Sequence, residues 1–376
     1  MREPGRTAVG AWSGGRFIRY GEKIDEQRLQ GLLRPGEGID TVLTADTYGQ
    51  GEADQILGRA LAGVPRGEYS LVGAVGHDFY EGERDGPRGF PRFTDPRLRG
   101  PGEYAGYLRM AAERSLERLG AERFDLLLLH NPDRIGYSSE AVWEGMAALR
   151  DAGLAAQIGI APGPANGFTL DLISCIERFG ERIDWAMIIL NPFEPWPGEL
   201  CLEAAARHDV KVITRVVDYG GLFWGDLRPG MELAQGDHRA FRPDGWIEAG
   251  LEKLERVLPI AERTRLTPIQ LACQWNLAHP AVECVVPTLI QEAGPEACPV
   301  EAKRVELANL PEQRLGDEDV AAIRAVGDNT GCMALKGANP GHEGEERPDR
   351  WALDSELAAV GERWGIDPQR DLLTTH

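Results

Sequence analysis

The chain has 376 residues, enough for one large domain with decorations. Acidic residues outnumber basic ones by 60 to 41, leaving a formal charge of -19, which repels phosphate polymers and anionic membranes and argues against nucleic-acid or membrane partners. No apolar run nears the roughly 18 residues that cross a bilayer, and Met1 is followed by Arg2, Glu3 and Pro4 with no apolar signal core, so a cytoplasmic protein is expected. The six cysteines form no CxxC pair, and Cys175, Cys273 and Cys284 lie in apolar segments, which points to reduced thiols.

Short apolar runs alternate with amphipathic helical stretches, the pattern of a parallel sheet covered by helices. Eight strands are expected, at 7–12, 40–45, 70–75, 124–130, 156–161, 185–190, 210–216 and 282–287. Between the third and fourth, Tyr107, Leu108, Ala111 and Leu119 recur on one helical face and Gly120 ends the helix. A later helix takes Ser139 as its N-cap and turns Val142, Trp143, Met146 and Leu149 inward; another takes Thr267 as cap with Pro268 in first position. Eight strands with right-handed crossovers fit a closed (β/α)8 TIM barrel better than a doubly wound sheet, because no strand ends in a Gly-rich dinucleotide fingerprint. The barrel is expected to occupy residues 1–327. Residues 81–102, rich in Gly, Pro and Arg without periodicity, read as a long loop near the barrel mouth. Residues 328–376, with an amphipathic stretch at 355–364, read as a tail packed on the barrel.

Active sites of such barrels lie at the C-terminal ends of the strands. The polar residues there are Ser13, Asp46, Tyr48, His77, Asp78, His130, Asn131, Asp133, Asn166, Asn191, Glu194, Arg215, Asp218, Tyr219, Thr288, Gln291 and Glu292. Any one of them is as readily a solvated loop residue as a functional group. His130 stands out, since a histidine ending the run Leu126-Leu127-Leu128-Leu129 is aimed into the mouth. The histidines and carboxylates follow no metal-ligand spacing, so no metal is expected. Aromatic residues near strand ends, Trp12, Phe79, Trp196, Tyr219 and Trp224, offer apolar walls for a small ligand.

The stretch Thr44-Ala45-Asp46-Thr47-Tyr48-Gly49-Gln50-Gly51-Glu52, running into Ile56-Leu57-Gly58, resembles the signature of the aldo-keto reductases. Phe124 to His130 resembles that family's strand ending in its catalytic histidine, and Gly153-Leu154, Ile158-Gly159-Ile160, Gly221-Leu222 and Thr267-Pro268 add further matches, covering most of residues 7 to 326. The resemblance implies a tyrosine acid at Tyr48 and an orienting histidine at His130. The aspartate and lysine that tune the tyrosine in the family are replaced by Leu43 and Ala74, a degenerate tetrad. A phenol titrating near 10 needs an adjacent cation to be poised, and with only five lysines in the chain, Arg215 or a protonated His77 is the candidate replacement; in a redox-neutral reaction Asp46, His77 or Glu194 is the candidate further base. Trp12, Asn131, Trp196 and Tyr219 are expected to contact substrate.

The resemblance also implies NADP or NAD as cofactor, and here the contacts are eroded. Ala161-Pro162 stands where the family has a Ser-Asn pair, the glutamine expected around 187–189 is missing, and the turn after the last strand becomes Val286-Pro287-Thr288-Leu289-Ile290-Gln291-Glu292. Arg215, Lys303 and Arg304 remain as cofactor contacts, the last two either receiving an adenosine phosphate or forming an exposed pair at a helix start. Three functions follow: an NAD(P)-dependent oxidoreductase on a sugar-like or small carbonyl substrate, which the resemblance puts first; a redox-neutral lyase or isomerase using Tyr48 and His130; and a non-catalytic barrel. The oligomeric state stays open, with no heptad or apolar stripe to fix it.

Overall fold

The computed structural model describes residues 2–86 and 89–373. The strands are Ala8–Gly10 (β1), Thr41–Leu43 (β2), Ser70–Val75 (β3), Phe124–His130 (β4), Ala155–Ala161 (β5), Trp185–Ile189 (β6), Lys211–Arg215 (β7) and Val282–Val286 (β8). They pair parallel in chain order from β1 to β8. A parallel bridge between Thr7 and Val285, with the Val285 amide donating to the Arg6 carbonyl at 3.0 Å, brings the two edges together into a (β/α)8 barrel. Every expected strand is present, with ends displaced by at most two residues.

Strand periodicity decides what faces the barrel axis. In β4, Leu126 and Leu128 join Val72, Trp185, Ile213 and Cys284 in the interior cluster, while Leu127 and Leu129 pack outward against the helices. His130, two positions beyond Leu128, inherits the inward direction. Helix ends follow local chemistry: Gly120 closes Tyr104–Leu119 at φ 64°, a left-handed cap that suits glycine, and Thr267 with Gln270 forms a capping box before Pro268. Ser139 does precede Glu140–Asp151, but its hydroxyl makes no cap bond.

The loop at 81–102 is tied down where it returns to the mouth. Asp78 N donates to Pro91 O at 2.8 Å and Phe93 N to Gly76 O at 3.0 Å. Phe93 stacks on Tyr107 at 5.2 Å, and buried Arg99 pairs with Asp78 at 2.5 Å while lying over the Tyr107 ring. Among the described residues no helix is long and apolar enough to cross a membrane.

Beyond residue 327 the chain forms a two-stranded parallel ribbon, Gly337–Asn339 (β9) with Arg350–Ala352 (β10), and the helix Ser355–Trp364. Asp171, on the helix Thr169–Phe179 after β5, accepts from Trp351 Nε1 at 2.8 Å and from the Ala338 amide at 3.1 Å. Trp364 Nε1 donates to Glu177 on the same helix at 2.8 Å. Trp351 is 1% exposed and sits against Tyr137 and Phe168. Trp351→Ala therefore removes a large buried ring and strands one Asp171 oxygen, and should cost about 3–5 kcal/mol of folding stability. The urea midpoint checks this; a change under about 1 kcal/mol would mean the ribbon is peripheral to the core.

Candidate active site

Tyr48 follows β2 in a tight turn, its amide donating to Ala45 O at 3.0 Å, and the turn continues through Gly49 and Gly51 at φ 60° and 95°. These backbone angles, open to glycine, let the chain reverse directly after the tyrosine. The Tyr48 and His130 ring centroids lie 5.7 Å apart with the rings perpendicular. His77, just past β3, packs on the other side of His130 at 5.0 Å. Trp12 meets Tyr48 edge-on at 6.4 Å, and Phe17 stacks on it at the same distance. Leu43 and Ala74 line the interior cluster against which Tyr48 packs, so apolar side chains stand where the resemblance would place an aspartate and a lysine. Four of the five lysines are held in ion pairs elsewhere, with Glu3, Asp328, Asp226 and Asp349.

The charge beside Tyr48 is Arg215. It ends β7 and donates from Nη2 to Pro162 O at 3.0 Å and to Gly163 O, while its Nε is buried without a partner. Burial pushes the Tyr48 phenol up to about 12, and Arg215 offsets part of that rise. At neutral pH Tyr48 is therefore a protonated donor. Burial, helped by the charges of Arg92 and Arg215, pushes His130 down to about 3, and its Nδ1 has no partner. Burial and Arg92 also hold His77 well below its ordinary value, which removes the protonated His77 from the candidate cations.

Arg92, from the loop at 81–102, was not singled out by the sequence. It is 7% exposed, donates from Nε to Asn131 O and lies 3.1 Å from His77 Nδ1. Asn131, at φ 46°, places its side-chain amide 3.2 Å from His77 Nε2, and Phe90 O lies 3.3 Å from His77 Nδ1. Two guanidiniums thus flank a pair of neutral imidazoles. Nothing local in the sequence marks Arg92, because its partners lie 15 and 39 positions away.

Five expected contacts stand elsewhere. Asp46 follows inward-facing Ala45 and so points to the helix layer; it is fully buried, both oxygens lack hydrogen-bond partners, and burial together with Asp54 holds its carboxyl well above the ordinary range. It is no base for the pocket. Tyr219 is fully buried beneath Arg242 and donates to Thr330 O at 2.7 Å, tying the barrel to the tail. Trp196 is half-buried, its amide donates to Asn329 Oδ1 and its carbonyl accepts from Asn329 Nδ2, and it makes no ring contact with Tyr48 or His130 among the described residues. Lys303 and Arg304 are neither exposed nor free. Lys303 is 1% exposed and pairs with Asp226 and Ile290 O; Arg304 caps the carbonyls of Leu32, Arg34 and Gly36 at 2.7–3.1 Å. Both side chains turn inward because those acceptors would otherwise be buried unpaired.

The implied dinucleotide can be tested against the cleft beside this pocket, at the ends of β6, β7 and β8. Tyr20, Glu194, Asp218, Arg239, Arg242 and Thr288 line it. It measures about 420 Å³ including its open mouth. Arg242 pairs with Glu194 at 3.3 Å, and Arg239 with Asp237 and Glu292. As arranged, Arg239 and Arg242 are already paired with carboxylates and present no free cation to a dinucleotide phosphate.

Because His130 and His77 are neutral when folded but titrate near 6.5 when unfolded, they contribute stability that is present above that value and lost as pH falls toward 3. His130→Gln should flatten the decline of the urea midpoint below pH 6.5 relative to wild type. An unchanged slope would place the imidazole in water.

Comparison with known proteins agrees with the geometry. The profile of the Aldo/keto reductase family matches residues 11–294. A putative voltage-gated potassium channel subunit beta from Schizosaccharomyces pombe is 24% identical over 321 residues, covering 79% of this chain and 85% of that protein. A 6-dehydroglucose reductase from Agrobacterium fabrum is 28% identical over 167 residues, covering 42% of this chain and half of that protein. The glycerol dehydrogenase of Gluconobacter oxydans shares the fold, with a TM-score of 0.64 at 20% identity over 85% of this chain and 90% of that one. With its family profile spanning most of a closed eight-stranded barrel, this chain belongs to the aldo/keto reductase family.

Proposed function

We propose that the Tyr48–His130 pocket acts at a carbonyl- or hydroxyl-bearing carbon of a small, sugar-like molecule, as an oxidoreductase of the aldo-keto reductase type. The observation that carries this is the perpendicular approach of the two rings at 5.7 Å with Arg215 acting on both. A reduced nicotinamide dinucleotide would supply the hydride; Tyr48, protonated at neutral pH, gives its proton to the carbonyl oxygen as negative charge builds there, and Arg215 stabilises the phenolate left behind. Neutral His130 orients that oxygen. Family membership supports the redox character, and the 6-dehydroglucose reductase supports a sugar-like substrate. The acidic surface and free cysteines suit a cytoplasmic setting.

A second reading draws support from the paired arginines of that cleft. A redox-neutral isomerase or lyase needs the same donor and no dinucleotide. The two part on one experiment: aldoses and small ketones are offered with NADPH or NADH while absorbance at 340 nm is followed, and in parallel without nucleotide in D2O. Nucleotide-dependent turnover supports the reductase; solvent deuterium entering the substrate without nucleotide supports the isomerase or lyase. In either reaction Tyr48→Phe should lower kcat by about 10²-fold or more, within the usual range for loss of a general acid. Retention of full activity in that variant would remove Tyr48 from the chemistry.

A further inference from the structure

Barrels of this architecture commonly hold phosphate between the loops that follow β7 and β8. In this chain a carboxylate stands there. Glu292, six residues past the end of β8, places Oε1 3.2 Å from where a Cβ on Gly221 would be, against the glycine pair that follows β7. Oε2 accepts from Arg239 Nη2 at 3.0 Å, and Oε1 accepts from Nη1. Arg239 is shared: it donates from Nε to Asp237 Oδ1 at 3.0 Å, from Nη2 to Asp237 Oδ2 at 2.7 Å and from Nη1 to Gly220 O at 3.1 Å. Asp237 is fixed in turn by the Gly21 amide at 2.8 Å. The three side chains are between 1% and 4% exposed.

The charge balance matters more than the geometry. One guanidinium faces two carboxylates, and against the cost of burial the bonds to Arg239 hold Asp237 below the ordinary carboxylate range. Asp237 alone would neutralise Arg239. Glu292 is the second anion, and it sits on the side that opens toward Gly220 and Gly221. A diphosphate would want the same guanidinium from the same direction.

We propose that Glu292 is a built-in occupant of the barrel's phosphate site, competing with the diphosphate group of any nucleotide for Arg239. The proposal goes beyond the acid–base chemistry of Tyr48 and holds whichever reaction that pocket performs. Removing the Glu292 carboxylate leaves Arg239 with Asp237 and the Gly220 carbonyl, and frees Nη1 and Nη2 donors beside an anion-sized gap where an anion can take the carboxylate's place.

The test uses inorganic diphosphate, which needs neither turnover nor a nicotinamide, so its failure is separable from failure of the Tyr48 assignment. Full-length wild type, Glu292→Ala, Glu292→Gln and the exposed-strand control Glu283→Ala are titrated with diphosphate while tryptophan fluorescence is followed. Trp224, whose indole donates to Thr288 O at 2.8 Å, is the nearby reporter. Thermal midpoints are read with and without diphosphate in low-salt buffer. Glu292→Ala should bind diphosphate at least tenfold more tightly than wild type, and its midpoint should rise on addition while that of wild type stays put. Should the alanine variant fail to fold, Glu292→Gln, which keeps the shape and loses the charge, carries the test, with a smaller gain in the same direction. Equal affinity in wild type and the Glu292 variants overturns the proposal, as does an equal gain in Glu283→Ala, which would trace the effect to net charge alone.

Discussion

The site depends on one alternation. In β4 every second side chain enters the barrel, and Leu126 and Leu128, fully buried there, fix the register that delivers His130 to the mouth. A slip of one residue would send the imidazole into the helix layer and bring Leu129 into the pocket. The same rule, applied to β2, turns Leu43 and Ala45 inward and leaves Asp46 facing out. Packing of the barrel interior is therefore what pairs Tyr48 with His130, and no bond between the two rings is needed to hold them.

Around that pair the electrostatics run against the composition of the whole. The chain carries a formal charge of -19, yet the groups acting on His130 are Arg92 and Arg215, neither of which has a carboxylate within ion-pair distance among the described residues. Both are held by main-chain carbonyls, of Asn131 in one case and of Pro162 and Gly163 in the other. Carbonyl dipoles position a guanidinium without cancelling its charge. The cations thus keep their field, and that of Arg215 favours the charged form of the Tyr48 phenol.

The strands, the helix caps and the Tyr48–His130 pair were legible in the sequence because each is written in neighbouring residues. A run of leucines ending in histidine, a glycine after an amphipathic stretch and a Thr-Pro start carry their meaning within one or two turns of chain. Arg92 was not legible in this way, nor was the Glu292 contact of Arg239, since Asn131 lies 39 positions from Arg92 and Glu292 lies 53 from Arg239. Lys303 and Arg304 show the opposite failure: adjacent basic residues at a helix start look exposed, and only the fold reveals carbonyls waiting beneath them. Asp46 lies past the end of β2 at Leu43, where the alternation still carries Ala45 inward and Asp46 outward, so a polar residue beyond a strand end need not face the mouth.

The attachment of the C-terminal ribbon reaches further than the helix it covers. Lys336 N donates to Asn166 O at 2.8 Å, within the same short connection whose carbonyls at Pro162 and Gly163 grip Arg215. The last fifty residues are in that sense part of the active-site wall, fastened to it from behind. A protein cut back to its eight strands and their helices would lose that fastening, and with it part of the hold on Arg215 beside the phenol and the imidazole.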